Sequence, residues 1–331
     1  MKEASNSSFS RSKRILQLTV FVSMTIMAVV SLVVCHQAMQ AEAHARYMGI
    51  KNVSAEKVAR IIRGAEMNAN NIFENVERNL ASPEAVVATL KEKAYLNLDV
   101  RGYFAAFEPN YFPEKGMWFE PYIWQPDATG FEYRQVGSAR HNYFKSDWYI
   151  RAKETNASFW SDPYYYYDGT SMSGHYCTFV RPIYNNKGDL ACVCGADMKF
   201  EWLAKELKWV DESSRKNNLL NRFHLMPDFN FYTVILNNDG TCLSHSEELA
   251  VNITDSLVLR DLAQSKSGMT QMNANGKLCT VYYGPIEFVD WAVAVIVPQQ
   301  DMMKPMLPIA LILLLVIVIE LSIMWFICKR I

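Results

Sequence analysis

Two stretches of this chain carry almost no charge, and they frame everything between them. Residues 15–36 contain none, and residues 305–328 contain only Glu320. At about 1.5 Å of helix rise per residue, roughly twenty apolar residues span the ~30 Å hydrocarbon core of a bilayer, so both runs read as transmembrane helices. Arg11, Lys13 and Arg14 precede the first run, and Lys329 and Arg330 follow the second. Basic flanks stay in the cytoplasm, which predicts cytoplasmic segments at 1–14 and 329–331 and puts 37–304 outside. A cleaved signal peptide is the alternative for the first run, with Ala41 and Ala43 as a small-residue pair beyond it. The run exceeds the ~7–15 residues of a secretory apolar core, so a retained anchor is the stronger reading.

Beyond the first run the pattern stays helical. Val58, Ile61, Ile62, Ala65, Ala69, Ile72, Val76 and Leu80 recur at steps of three and four, predicting a long amphipathic stalk. Ser82 and Pro83 suit the N-cap and first turn of a second helix, so residues 37–98 read as stalk and N-terminal helices. From Val100 the period shortens. Strands are predicted at 100–107, 118–124, 131–136, 176–183 and 190–198, the last two joined by the turn residues Asn185 to Gly188. A helix over 201–214 buries Leu203, Leu207 and Val210 and leads into strands at 231–236, 241–244, 278–283 and 291–297, with a helix at 255–265. The plan is α+β and twofold: a membrane-distal module at 99–215 and a membrane-proximal one at 216–304, each an antiparallel sheet with helices on one face.

Composition narrows the function. A net charge of -1 without a basic stripe leaves nothing to attract nucleic acid. The six histidines lie singly, and no nucleophile elbow, zinc-protease or metal-ligand spacing occurs, so neither catalytic nor metal residues nor a cofactor are expected. Of the cysteines, Cys192 and Cys194 point to one face of a strand as core hydrophobes, while Cys242 and Cys279 form a candidate disulfide.

Several segments resemble the double Cache sensors, tandem PAS-like modules found outside the membrane in bacterial chemoreceptors and sensor kinases. They are Asp147-Trp148-Tyr149, Phe159 to Tyr164, Val180-Arg181-Pro182-Ile183 and Gly195 to Met198, then Val234 to Gly240 and Trp291 to Pro298. The resemblance implies two Cache modules in that order, with the ligand in the distal one. A subset of the family holds amino acids through Arg-x-Trp-Tyr, Tyr-x-Asp and a later Asp. Here Trp148, Tyr149 and Asp197 match that pattern, Ser146 stands where the Arg would be, and Lys145 is one residue out of register as a substitute. The middle segment reads either as Tyr166-Tyr167-Asp168 or as Tyr164-Tyr165-Tyr166. Without the guanidinium, the group that best grips a carboxylate is missing.

Between Tyr103 and Tyr167 roughly one residue in three is aromatic. Tyrosine combines apolar area with a hydroxyl, and small-ligand sites are mostly apolar with a few placed polar groups. The candidate ligand-binding residues are therefore Trp148, Tyr149, Tyr164, Tyr166, Asp168 and Asp197. Asp197 has two readings, a partner for a ligand ammonium or an N-cap for the helix near Phe200. Glu320 has two as well, a polar contact across a receptor dimer or a protonated carboxyl near the interface. The expected function is small-molecule sensing by a two-pass receptor of the bacterial inner membrane, homodimeric through its stalk and transmembrane helices, with its output carried outside this sequence. The alternatives are a membrane-tethered ectoenzyme and a ligand-free interaction subunit.

Overall fold

The computed structural model describes residues 2–96, 99–127, 130–167, 172–216, 230–237, 239–245, 252–274, 276–303 and 306–330. One helix, α1 (Lys2–Arg78), joins the first apolar run to the stalk without a break. α2 (Pro83–Lys93) follows, with the Ser82 hydroxyl accepting from the Ala85 N–H at 3.1 Å and Pro83 in the first turn. An N–H in that first turn would have no helical partner, so proline, which lacks one, gives up no hydrogen bond.

The first sheet is built from β1 (Gly102–Phe107), β2 (Pro121–Asp127), β3 (Gly130–Gln135), β4 (Phe159–Trp160), β5 (Tyr164–Tyr166), β6 (Gly174–Tyr184) and β7 (Leu190–Lys199). Its order is β3-β2-β1-β7-β6-β4, with β5 also on β6, and every pairing is antiparallel. Every residue of β1 is buried, because both faces of the sheet are covered. On one face Tyr103, Phe107, Ile123, Phe179, Cys192 and Cys194 pack against Ile62, Ile72, Phe73 and Val76 of α1 and Leu90 of α2. On the other, Phe104, Tyr122, Trp124 and Val180 meet Tyr143, Tyr149 and Ala152. Those last two belong to α3 (Asp147–Thr155), so helices cover both faces rather than one. The helix is entered at Ser146 and ends at Asn156, whose φ of 52° is the left-handed stop that asparagine tolerates.

α4 (Phe200–Lys216) leads to the second sheet, made of β8 (Tyr232–Asn237), β9 (Cys242–His245), β10 (Gly268–Ala274), β11 (Lys277–Pro285) and β12 (Trp291–Pro298) in the order β10-β11-β12-β8-β9. α1 packs on one face through Tyr47 and Ile50, against Tyr282, Val295 and Val297. The opposite face holds α5 (Ser256–Ala263), whose Val258 and Leu262 pack on Val234 and Val281. Cys242 and Cys279 do not bond to each other, since β8 and β12 lie between their strands and three strand spacings of about 4.8 Å exceed disulfide reach. α6 (Gln299–Met303) then leads to α7 (Met306–Arg330), which packs beside α1. Among the described residues, α1 and α7 are the two helices long and apolar enough to cross a membrane. Glu320 is exposed on α7.

The stalk is therefore core as well as connector. Phe73 is fully buried, and its ring stacks on Phe179 with centroids 6.3 Å apart. Phe73→Ala is expected to destabilise the outer region by about 3–5 kcal/mol. A fall in the denaturant midpoint checks this, whereas a change below about 1 kcal/mol would mean the stalk merely leans on the sheet.

Candidate functional site

Between the first sheet and α3 lies a cavity of about 670 Å³. Strand alternation selects its floor. Phe104 pairs with Tyr122 on one side and Gly195 on the other, and Gly102 pairs with Asp197, so these side chains rise from one face. A side chain at Gly195 would overlap the Phe104 ring, so glycine is what lets that ring lie flat on the floor. The roof is α3, contributing Trp148 and Arg151, together with the β4–β5 segment and His141 from the preceding loop.

Asp197 stands on this floor, only 8% exposed. Its Oδ1 accepts from the Thr178 hydroxyl at 2.6 Å and the Tyr164 hydroxyl at 3.4 Å, and its Oδ2 accepts from the Tyr122 hydroxyl at 2.9 Å. No basic side chain among the described residues pairs with it. Burial pushes its pKa up to about 6, against the lowering pull of the three hydroxyl donors. It lies inside β7, and its oxygens are taken by strand and loop hydroxyls, so it is not the N-cap of α4. Burial and the nearby Asp197 charge also lift the Tyr164 and Tyr122 phenols well above their ordinary range, which keeps them donors at neutral pH.

Of the residues singled out from sequence, Trp148, Tyr164, Tyr166 and Asp197 line this cavity. All four tyrosines of the run border the cavity, and strand alternation grades them: Tyr164 and Tyr166 are half-buried, while Tyr165 and Tyr167 are 58% and 74% exposed. Trp148 stands with its ring centroid 5.0 Å from Phe104, and Tyr166 meets the His141 ring edge-on at 5.5 Å. Tyr149 is not in the cavity. One residue along α3 from Trp148, it turns into the core and donates to Glu108 Oε1 at 2.7 Å. Asp168 lies outside the described residues. Lys145 is exposed and does not line the cavity, so it does not replace the missing arginine.

Sequence reasoning missed four contributors. Thr178 and Tyr122 supply hydroxyls from neighbouring strands, and nothing but the sheet register connects them to Asp197. Glu120 precedes β2, is 4% exposed, and has its carboxyl pushed well up by burial and by Asp197. Arg151 reaches the mouth with its guanidinium 4.2 Å from the Phe159 ring centroid. Recognising α3 would have found it, since Asp147 in the first turn and Lys153 in the last suit the helix dipole. The lining counts Glu120, Asp147, Asp162 and Asp197 against Arg151 and a histidine whose pKa burial lowers. An anionic, aromatic-walled cavity attracts cations through both charge and ring faces.

Comparisons with known proteins agree with this architecture. Residues 86–205 match the family model of the methyl-accepting chemotaxis protein-like first PDC sensor domain. Among solved structures, the extracellular domain of the putative histidine kinase soHK1S-Z6 is 18% identical, with 81% of this chain and 98% of that chain covered at a TM-score of 0.60. The periplasmic sensory domain of the Campylobacter jejuni chemoreceptor Tlp1 is 16% identical, covering 81% of this chain and 99% of that chain at a TM-score of 0.61. The ligand-binding domain of the C. jejuni chemoreceptor Tlp3, solved with L-norvaline, is 13% identical, covering 81% and 95% at a TM-score of 0.54. No curated protein matches the chain in sequence. The fold is that of tandem Cache, or PDC, domains, as the sequence resemblance implies.

Proposed function

We propose that this tandem Cache chain is the sensing part of a two-pass receptor of the bacterial inner membrane, and that its distal cavity binds a small organic amine. In this reading α1 and α7 cross the bilayer, two copies pair along them, and ligand binding shifts the equilibrium between two arrangements of the stalk. A single observation carries the amine. Asp197 is a buried carboxyl given three hydroxyl donors and no cation, at the floor of an aromatic cavity. An isolated buried carboxylate is costly, and a ligand ammonium removes that cost by pairing with it. The acidic lining of the cavity and the lack of a guanidinium at Ser146 support an amine over a free carboxylic acid.

Calorimetric titration of the full chain in lipid nanodiscs with amines, amino acids and dicarboxylates tests the reading. Amines are expected to bind and dicarboxylates not to. Since the Asp197 pKa is raised to about 6, its charged form is lost as pH falls through that value, while a ligand ammonium stays protonated throughout. Amine affinity is therefore expected to fall about tenfold from pH 7 to pH 5. Dicarboxylate binding, or an affinity flat over that range, would sink the proposal.

A further inference from the structure

The cavity holds a second buried acid that one ammonium at Asp197 leaves unanswered. Glu120 is 4% exposed, and its Oε2 has no hydrogen-bond partner among the described residues. The nearest basic atom is His141 Nε2 at 3.5 Å, beyond the 2.7–3.2 Å of an N–H···O bond. The backbone around it is tied at both groups: the Glu120 N–H donates to Gln135 Oε1 at 3.3 Å, and its carbonyl accepts from the Val136 N–H at 3.1 Å. The side chain is thus held toward the cavity by its own strand pairing. A buried carboxyl without a hydrogen-bond donor is costly, and the His141 ring at 3.5 Å is the basic group that stands beside it among the described residues.

The register shows how the two acids are arranged. Glu120 lies two residues before Tyr122, and Asp197 two residues after Gly195, on either side of the Phe104 pairing line. Both rise from the same face, two strands apart and offset along the sheet by about four residues. Two spacings of ~4.8 Å and four rises of ~3.3 Å separate their Cα atoms by on the order of 16 Å, which the inward-leaning side chains shorten. Tyr122 lies between them, with its hydroxyl on Asp197. The two acids do not share one site. They stand at opposite ends of a single aromatic-floored cleft.

We propose that Glu120 is a second cation-recognising group and that the ligand is a dication of the α,ω-diamine class, one ammonium at Asp197 and the other at Glu120. This rests on the amine reading of the cavity and goes beyond it by naming the ligand's second charge. The aliphatic chain of such a ligand lies over Tyr122 and Phe104, and each ammonium meets a carboxylate. His141, beside Glu120, then serves as a neutral neighbour. Glu120 determines which amines are favoured, while Asp197 determines that amines bind at all.

The test is titration of the full chain in nanodiscs at pH 7.5 with 1,4-diaminobutane, its three-, five- and six-carbon homologues, and butylamine. The wild-type chain is expected to prefer its best diamine over butylamine by about tenfold or more, the value of one charge-assisted contact. Glu120→Gln, nearly isosteric, is expected to bring the two within about twofold by weakening only the diamine. Glu120→Asp, which keeps the charge but withdraws it, is expected to retain the preference and shift the best chain length upward. A preference unchanged by Glu120→Gln, or equal losses for diamine and monoamine, would overturn the role of Glu120. Equal binding of both amines to the wild-type chain would overturn the dication while leaving the amine reading intact. Absence of any amine binding would overturn both.

Discussion

Asp197→Asn is expected to abolish amine binding, with an affinity loss of about a hundredfold or more, while leaving the unliganded protein at least as stable at neutral pH. The two halves of this expectation have one cause. The Asp197 pKa in the folded chain is about 6, raised from an ordinary 3.8. A group raised in this way stabilises the fold fully below its unfolded pKa, and that contribution is lost as pH rises through the folded value. By pH 7 the apo protein bears the cost of holding a carboxylate in a dry site, on the order of 3 kcal/mol as an upper bound. Asparagine keeps the shape, leaves the Thr178 and Tyr164 hydroxyls a carbonyl to donate to, turns an amide N–H toward the Tyr122 hydroxyl as its acceptor, and carries no charge. Thermal unfolding of both proteins at pH 4 and pH 7 checks the stability half: the variant should gain a few degrees at pH 7 and nothing at pH 4. A variant that melts lower at pH 7, or still binds amines at wild-type affinity, would make Asp197 a structural hub.

Gly240→Ala is expected to destabilise the membrane-proximal sheet by at least about 3 kcal/mol without touching the cavity. Gly240 closes the turn between β8 and β9 at a φ of +83°, in the left-handed region that alanine enters at a cost of roughly 1–2 kcal/mol. Its Cβ would also run into the Ile253 carbonyl oxygen, and the Gly240 carbonyl accepts from the Ile253 N–H at 2.9 Å. The obstacle is backbone, and it cannot swing aside as a side chain would. Hydrogen exchange resolved by segment gives the measurement. Protection should collapse in β8, β9 and α5 while β1, β6 and β7 keep theirs. Loss of protection spread evenly over both sheets would mean that they unfold as one unit through α1 and α4.

How much of this was legible beforehand varies by kind of feature. Ser82-Pro83 marks a helix start because the groups that satisfy the first turn are adjacent in sequence, and the helix begins there. The Asn185 to Gly188 turn joins β6 and β7 for the same reason, with the Asn185 side chain accepting from the Lys187 and Asp189 N–H groups at 2.8 and 3.0 Å. Several elements were missed, among them the short β4 and β5, β10 and α3. β10 alternates half-buried and exposed residues with methionine, threonine and glutamine, too polar a pattern for an edge strand to announce itself. α3 buries only Tyr149 and Ala152 among nine residues, so it shows little of the periodicity by which helices are recognised. Missing α3 had a cost at the site, because its turn geometry sends Trp148 and Arg151 to the cavity and Tyr149 to the core.

The acidic character of the cavity was likewise out of reach of linear inspection. Glu120 and Asp197 are far apart in the chain, and on its own Glu120 reads as an ordinary polar residue before a strand. Only the β2-β1-β7 order brings the two to one face with Tyr122 between them.

By itself the sequence determined the apolar spans, the stalk, the order of the two sheets and the aromatic wealth of the distal region. Each is written in short-range periodicity or composition, which follows directly from the geometry of a helix, a strand or a bilayer. The tertiary structure alone decided which tyrosines face the cavity, that Asp197 receives three hydroxyls rather than capping a helix, and that a second acid stands across the cleft. Those facts depend on strand register, where a shift of one residue turns every side chain to the opposite face.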